Sequence, residues 1–219
     1  MVTIPKLHYI SQGASAQEHL NNIQKACTSG AELVQLRLKD LSEKKILKTA
    51  VKAREITSHF QTRLIINDYY KIAKEVKADG VHLGKEDACP LEVRKVLTPW
   101  QIIGGTANTL IDCENLIKKE VDYIGLGPFR YTLTKENLSP ILGIVGYQAI
   151  LDELKTKTPI IAVGGITLKD VKEILVTGAS GIAISGEITR DFSNIKAFHE
   201  LLNTGSSLEQ PYSFKDNKQ

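Results

Sequence analysis

The chain is 219 residues long, 42% apolar and 24% charged, with a formal net charge of +3. That is the size of one α/β domain, large enough to bury a core without disulfide staples. So weak a charge, with few aromatics and none interleaved with basic clusters, argues against a nucleic-acid partner, and no apolar stretch reaches the roughly 20 residues that cross a membrane.

Short β-branched runs fall at 7–11, 33–39, 63–67, 80–83, 101–106, 123–127, 159–163 and 181–185. Amphipathic stretches of helical period lie between them, at 16–29, 43–60, 69–76, 90–97, 110–119, 146–155, 168–177 and 194–202. Asp40 and Ser42 ahead of one such stretch, and Thr167 ahead of another, suit helix N-caps. Eight strand–helix units predict an α/β fold of the TIM (β/α)8 barrel type in a single domain, 1–204, followed by a polar, turn-rich tail at 205–219. A doubly wound open sheet is the main rival, and its GxGxxG signature after the first strand is absent. The long polar interruption at 131–143, with Pro140, is a candidate active-site loop. Cys27, Cys89 and Cys113 form no CxxC and no His/Cys pair at zinc spacing, which fits a reducing cytoplasm. The N-terminus carries no basic lead with an apolar run, so no secretory signal is expected.

In this fold chemistry sits at the C-terminal strand ends, and the unusual polar residues fall there repeatedly. The second strand alternates Gln35, Arg37 and Lys39 on one face with Val34, Leu36 and Leu38 on the other. On a half-buried sheet such a polar face meets water; in a closed barrel it points inward and gathers one amide and two cations. Asn67-Asp68 ends the third strand, Asp87 follows the fourth, and Thr106 and Asn108 end the fifth. The loop after the sixth runs from Gly127 to Lys135; Gly164-Gly165 follows the seventh, and Ile184-Ser185-Gly186 ends the eighth. Singly, each has a structural reading: Asp68 and Asp87 as caps or turn residues, Thr106 as a core hydroxyl, the glycines as a tight turn. Together they mark one rim. His82, inside an apolar strand, reads as a structural histidine.

The glycines let backbone N–H groups approach a ligand, and the loops after strands seven and eight are where this fold holds phosphate. A phosphorylated substrate is therefore expected. Two carboxylates beside a diphosphate would repel it, at roughly 4 kcal/mol per unit pair at about 4 Å and an effective dielectric of about 20. A Mg²⁺ ion joining Asp68 and Asp87 to phosphate oxygens reverses that sign, with Arg37, Lys39 and Lys135 neutralising the remainder. No GxSxG occurs and no cysteine stands at a strand end, so nothing suggests a covalent nucleophile.

The ordered series QLRLK, IIND, DGVHLGKED, GGTANT, DYIGLGPFRYTLTK, PIIAVGGIT and GIAISGEI resembles the thiamine-phosphate synthase family from about Leu33 to Ile188. The resemblance implies a transferase that joins 4-amino-2-methyl-5-(diphosphooxymethyl)pyrimidine to a thiazole ethyl phosphate, or its 2-carboxy form. It also implies roles. Gln35, Arg37, Lys39, Asn67, Thr106 and Lys135 would hold the pyrimidine diphosphate, with Arg37, Lys39 and Lys135 as catalytic cations. Asp68 and Asp87 would bind Mg²⁺, and Thr132, Thr134, Gly165, Ile184 and Ser185 would hold the thiazole phosphate. The expected partners are these small molecules, with no nucleic acid and no membrane; a homo-oligomer stays open. The chain departs from the family's pattern at Leu38, Lys85, Thr106, Arg130 and Tyr131. The alternatives are a thiazole tautomerase-like paralogue, against which Pro128 and the retained aspartates count, a non-catalytic phosphate-binding regulatory barrel, and a sugar-phosphate isomerase.

Overall fold

The computed structural model describes residues 3–131 and 140–204. Its eight strands are β1 (Leu7–Ile10), β2 (Leu33–Leu36), β3 (Arg63–Asn67), β4 (Gly80–Leu83), β5 (Ile102–Ala107), β6 (Tyr123–Leu126), β7 (Ile160–Val163) and β8 (Gly181–Ile184). They pair in parallel in chain order, and β1 closes the ring by pairing with β8, Leu7 opposite Ile182 and Tyr9 opposite Ile184. Between and after them run α1 (Ala16–Thr28), α2 (Glu43–His59), α3 (Tyr70–Glu75), α4 (Pro90–Val96), α5 (Leu110–Lys118), α6 (Gly143–Glu153), α7 (Val171–Val176), α8 (Gly186–Arg190) and α9 (Asn194–Thr204). This is the (β/α)8 barrel that the alternation predicts. Among the described residues no helix is long and apolar enough to cross a membrane.

Strand alternation divides the core in two. Outward residues such as Val34, Leu36, Leu64, Ile66 and Val81 are buried under the helices in the main apolar cluster, each contributing about 1.5–3 kcal/mol. Inward residues Leu33, Ile65, Ile102, Tyr123, Ile161 and Ala183 form a second, separate cluster inside the ring. Gly104 makes room there: a Cβ on it would stand 2.2 Å from Cζ of Tyr123. At the opposite rim, carboxylates tie strand starts together. The N–H of Leu64 donates to Asp79 Oδ2 at 2.8 Å and that of Ile103 to Asp122 Oδ2 at 2.7 Å, with Arg54 and Arg94 as their cationic partners.

Several boundaries differ from expectation. β2 stops at Leu36, because the N–H of Arg37 leaves the ladder and donates to Ser11 Oγ at 3.2 Å. α6 starts at Gly143 and not at 146, after the N–H groups of Leu142 and Gly143 dock on the carbonyls of Pro128 (2.9 Å) and Phe129 (3.0 Å). The seventh helical stretch opens with a 3-10 turn, Leu168–Asp170, closed by a capping box between Thr167 and Asp170. α8, five residues long, is too short to announce itself by period. The proposed tail at 205–219 lies outside the described residues.

Candidate active site

The C-terminal strand ends open into a cavity of about 1240 Å³. Gln35 near the end of β2 and Arg37 just beyond it line one wall, as do Asn67 at the end of β3 and Asp68 just beyond it. Gln35 is buried, and Arg37 is half-buried. Burial pulls the Arg37 pKa below its ordinary value, and the Asp68 carboxylate nearby acts against that. The Arg37 backbone is set by a short relay. Ser11 Oγ accepts from the Arg37 N–H at 3.2 Å and lies 2.8 Å from His19 Nδ1. Burial lowers the His19 pKa, against a backbone hydrogen bond with Gly13 and the nearby Glu18 charge. Sequence reading missed Ser11 and His19, whose link to Arg37 is made only when β1, α1 and β2 come together.

Asp68 has φ +67, a left-handed conformation uncommon outside glycine. Its N–H donates to the His82 carbonyl at 2.8 Å, and its own carbonyl accepts from Tyr70 at 3.0 Å. The turn thus holds a carboxylate at the mouth, where backbone strain is commonly stored for function. Asp87, exposed on the β4 loop, accepts from the Gly84 N–H through Oδ2 at 2.6 Å. Beside it Lys85 Nζ lies 2.6 Å from Asp112 Oδ2. Burial works to raise the Asp112 pKa, but Lys85 and the bonds from Asn108 and Thr109 outweigh it and hold it low. The residue expected to be unusual at position 85 therefore braces the Asp87 loop against the start of α5.

Under these walls runs a polar layer. His82 lies 3.0 Å through Nδ1 from the Tyr123 hydroxyl and 2.9 Å through Nε2 from Thr106 Oγ1. The rings of His82 and Tyr123 stack at 5.5 Å. Burial pushes the Tyr123 phenol above its ordinary pKa, against a hydrogen bond with Gln35. His82 is thus bonded within the barrel, as a structural histidine should be, and it also lines the cavity and orients Thr106. On the far wall, Gly164, Gly165, Ile184 and Ser185 line the cavity. Ser185 Oγ is buried and, among the described residues, has no hydrogen-bond partner.

Nine of the candidate residues therefore share this cavity: Gln35, Arg37, Asn67, Asp68, Asp87, Thr106, Gly165, Ile184 and Ser185. Lys39 is exposed and is not among the lining residues, because the alternation that would aim it inward ends with β2. Thr132, Thr134 and Lys135 lie outside the described residues. The described residues hold no cluster of three His, Cys, Asp or Glu side chains suited to a metal. Two carboxylates on one cavity fit Mg²⁺, which usually takes one or two carboxylates and completes its shell with phosphate oxygens and water.

The family model described as thiamine monophosphate synthase matches residues 7–188. The chain is 46% identical to the thiamine-phosphate synthase of Flavobacterium johnsoniae over 187 residues, covering 84% of this chain and 88% of that one. It is 34% identical to thiamine-phosphate synthase 1 of Aquifex aeolicus over 193 residues, 88% and 85% of the two chains. The structure of thiamine phosphate pyrophosphorylase from Pyrococcus furiosus superimposes with a TM-score of 0.77 at 26% identity, covering 94% of this chain and 97% of that one.

Proposed function

Starting from the chain's membership of the thiamine-phosphate synthase family, we propose how its cavity divides the work of making thiamine phosphate and diphosphate from a pyrimidine diphosphate and a thiazole phosphate. Gln35, Asn67 and Thr106 hold the pyrimidine diphosphate, and Arg37 faces its phosphates, with Lys135 as a further cation for the leaving group. Asp68 and Asp87 hold Mg²⁺, which when bound supplies positive charge to the diphosphate. Gly165, Ile184 and Ser185, with Thr132 and Thr134, hold the thiazole phosphate.

The observation that carries this reading is the placement of two anion-suited walls on one cavity. Arg37 beside Asp68 forms one, and the unpartnered buried hydroxyl of Ser185 lies on the other. Anchoring each substrate by its phosphate end aims the thiazole nitrogen at the pyrimidine methylene, which is catalysis by position. The carbon–oxygen bond breaks and its electron pair leaves with the diphosphate. The nitrogen lone pair then forms the new carbon–nitrogen bond. Arg37 stabilises the charge that develops on the leaving group, and a cation half out of water is worth more there than in bulk. No covalent bond to the protein is needed, in keeping with the absence, among the described residues, of an activated nucleophile at the rim.

Purified protein given both substrates, with and without Mg²⁺, tests the proposal. Equal amounts of thiamine phosphate and diphosphate, formed only with the metal, are expected. A folded sample that binds thiazole phosphate and forms no product would refute it.

A further inference from the structure

Arg130 stands immediately after Phe129 in the β6 loop, facing the turn that follows β7. Its backbone N–H donates to the carbonyl of Gly164 at 2.9 Å, and its side-chain Nη1 donates to the carbonyl of Gly165 at 2.7 Å. One residue thus holds two consecutive peptide planes. In a trans peptide the N–H points opposite to the C=O, so both bonds turn the N–H groups of Gly165 and Ile166 away from Arg130. Among the described residues neither N–H donates to a protein acceptor, and both residues line the cavity. The contact is close: a Cβ on Gly165 would lie 2.9 Å from the Tyr131 carbonyl oxygen and 3.0 Å from Arg130 Cβ, and the φ of +66 is itself one that L side chains rarely adopt.

The guanidinium is held in turn. Nη1 and Nη2 donate to the two carboxylate oxygens of Asp170 at 2.9 and 2.8 Å, and the group lies 5.1 Å above the Phe129 ring. Asp170 Oδ2 also accepts from the N–H and hydroxyl of Thr167, both at 2.8 Å. The Arg130 charge is therefore already paired, and its fork is spent on a carboxylate and a backbone carbonyl. Bidentate geometry of this kind fixes orientation as well as adding energy.

We infer that Arg130 is a positioning residue for phosphate binding: with Asp170 it locks the Gly164–Gly165 turn so that two backbone N–H donors stand ready for the phosphate of the thiazole substrate. The inference rests on the assignment of that wall to thiazole phosphate. Arg130 touches no substrate atom and acts through the backbone it orients. Pre-setting donors in this way removes an ordering cost from binding.

Steady-state kinetics with each substrate varied in turn tests this, using the full chain and its R130A, R130K, D170N and R130A/D170N variants. R130A should raise KM for thiazole phosphate about tenfold, the loss of roughly one to two ordinary hydrogen bonds, and leave KM for the pyrimidine diphosphate within about twofold. R130K, whose ammonium lacks the planar fork, should fall between. D170N should move the same KM in the same direction, and the double variant should be no worse than R130A, since both break one clamp. Inhibition by the unphosphorylated thiazole alcohol should be unchanged throughout. A thiazole-phosphate KM unaltered in R130A, equal rises for both substrates, or additive effects of R130A and D170N would overturn the inference. If the unaltered chain makes no thiamine phosphate, the assignment of the wall fails; if it does and R130A matches it, the clamp alone fails.

Discussion

Asp170 offers a quantitative test of how the barrel mouth is held together. Arg130 beside it, together with the Thr167 donors, holds its pKa at about 2 against an ordinary 3.8. At about 1.4 kcal/mol per unit, a displacement of nearly two units corresponds to about 2 kcal/mol of folding stability. The Arg130 side chain is 49% exposed, so water screens part of this and about 1–2 kcal/mol is the better figure. A carboxylate whose folded-state pKa lies below its unfolded one stabilises the fold above the unfolded value, and the gain is lost as pH falls through the folded value. The window thus runs from about pH 4 down to about pH 2, and about half of the contribution is gone by pH 3. Asp170→Asn keeps the side chain's shape and one accepting oxygen but removes the charge. Urea unfolding of both proteins at pH 7, 5, 4 and 3 should show a gap of about 1–2 kcal/mol that holds to pH 5 and shrinks by about half at pH 3. A gap that stays constant to pH 3, or grows toward acid, would refute the ion-pair reasoning.

Three further outcomes are expected. Asp87→Ala should cut Mg²⁺-dependent turnover by on the order of 10²-fold and leave the urea midpoint nearly unmoved, since Asp87 is exposed; unchanged turnover would sink its role as a metal ligand. Thr106→Val keeps the side chain's volume but removes the hydroxyl 2.9 Å from His82 Nε2. It should lower kcat/KM for the pyrimidine diphosphate about tenfold with the thiazole-phosphate KM unaltered, and the reverse pattern would put Thr106 on the wrong wall. Gly104→Ala forces a Cβ to 2.2 Å from the Tyr123 ring and should cost about 1–3 kcal/mol by overpacking. A melting temperature within a degree of the parent would show that the ring yields freely.

What the sequence made legible was what depends on local periodicity. Gln35 and Arg37 could be set on one face and Val34 and Leu36 on the other because a strand's two-residue period needs no tertiary information. The same period fails at Lys39, where hydrogen bonding has already left the ladder. Asp68 and Asp87 were recognisable from their positions after strands, but the left-handed turn at Asp68 is a property of the assembled loop. Asp170 gave no signal at all. It sits 40 residues from Arg130, and only the adjacency of β6 and β7 makes the two a pair. His19 and Ser11 escaped notice for the same reason, each ordinary until Arg37 arrives beside them.

The pairing of β1 with β8 bears on how the chain is born. Ribosomes release the N-terminal part first, so Leu7–Ile10 emerges and waits while the next seven strands are made. Through that interval the growing sheet has two open edges, β1 at one side and the newest strand at the other, each a row of unpaired backbone groups that can recruit a neighbouring nascent chain. Only when Ile182–Ile184 is free of the exit tunnel can both edges vanish in one event. α9 then follows and packs beside β1, its Leu202 carbonyl meeting Lys6 Nζ at 3.5 Å and His199 reaching the Gly30 carbonyl at 3.2 Å. Ring closure therefore has to wait for the eighth strand, and a chain stalled before residue 184 keeps both edges open.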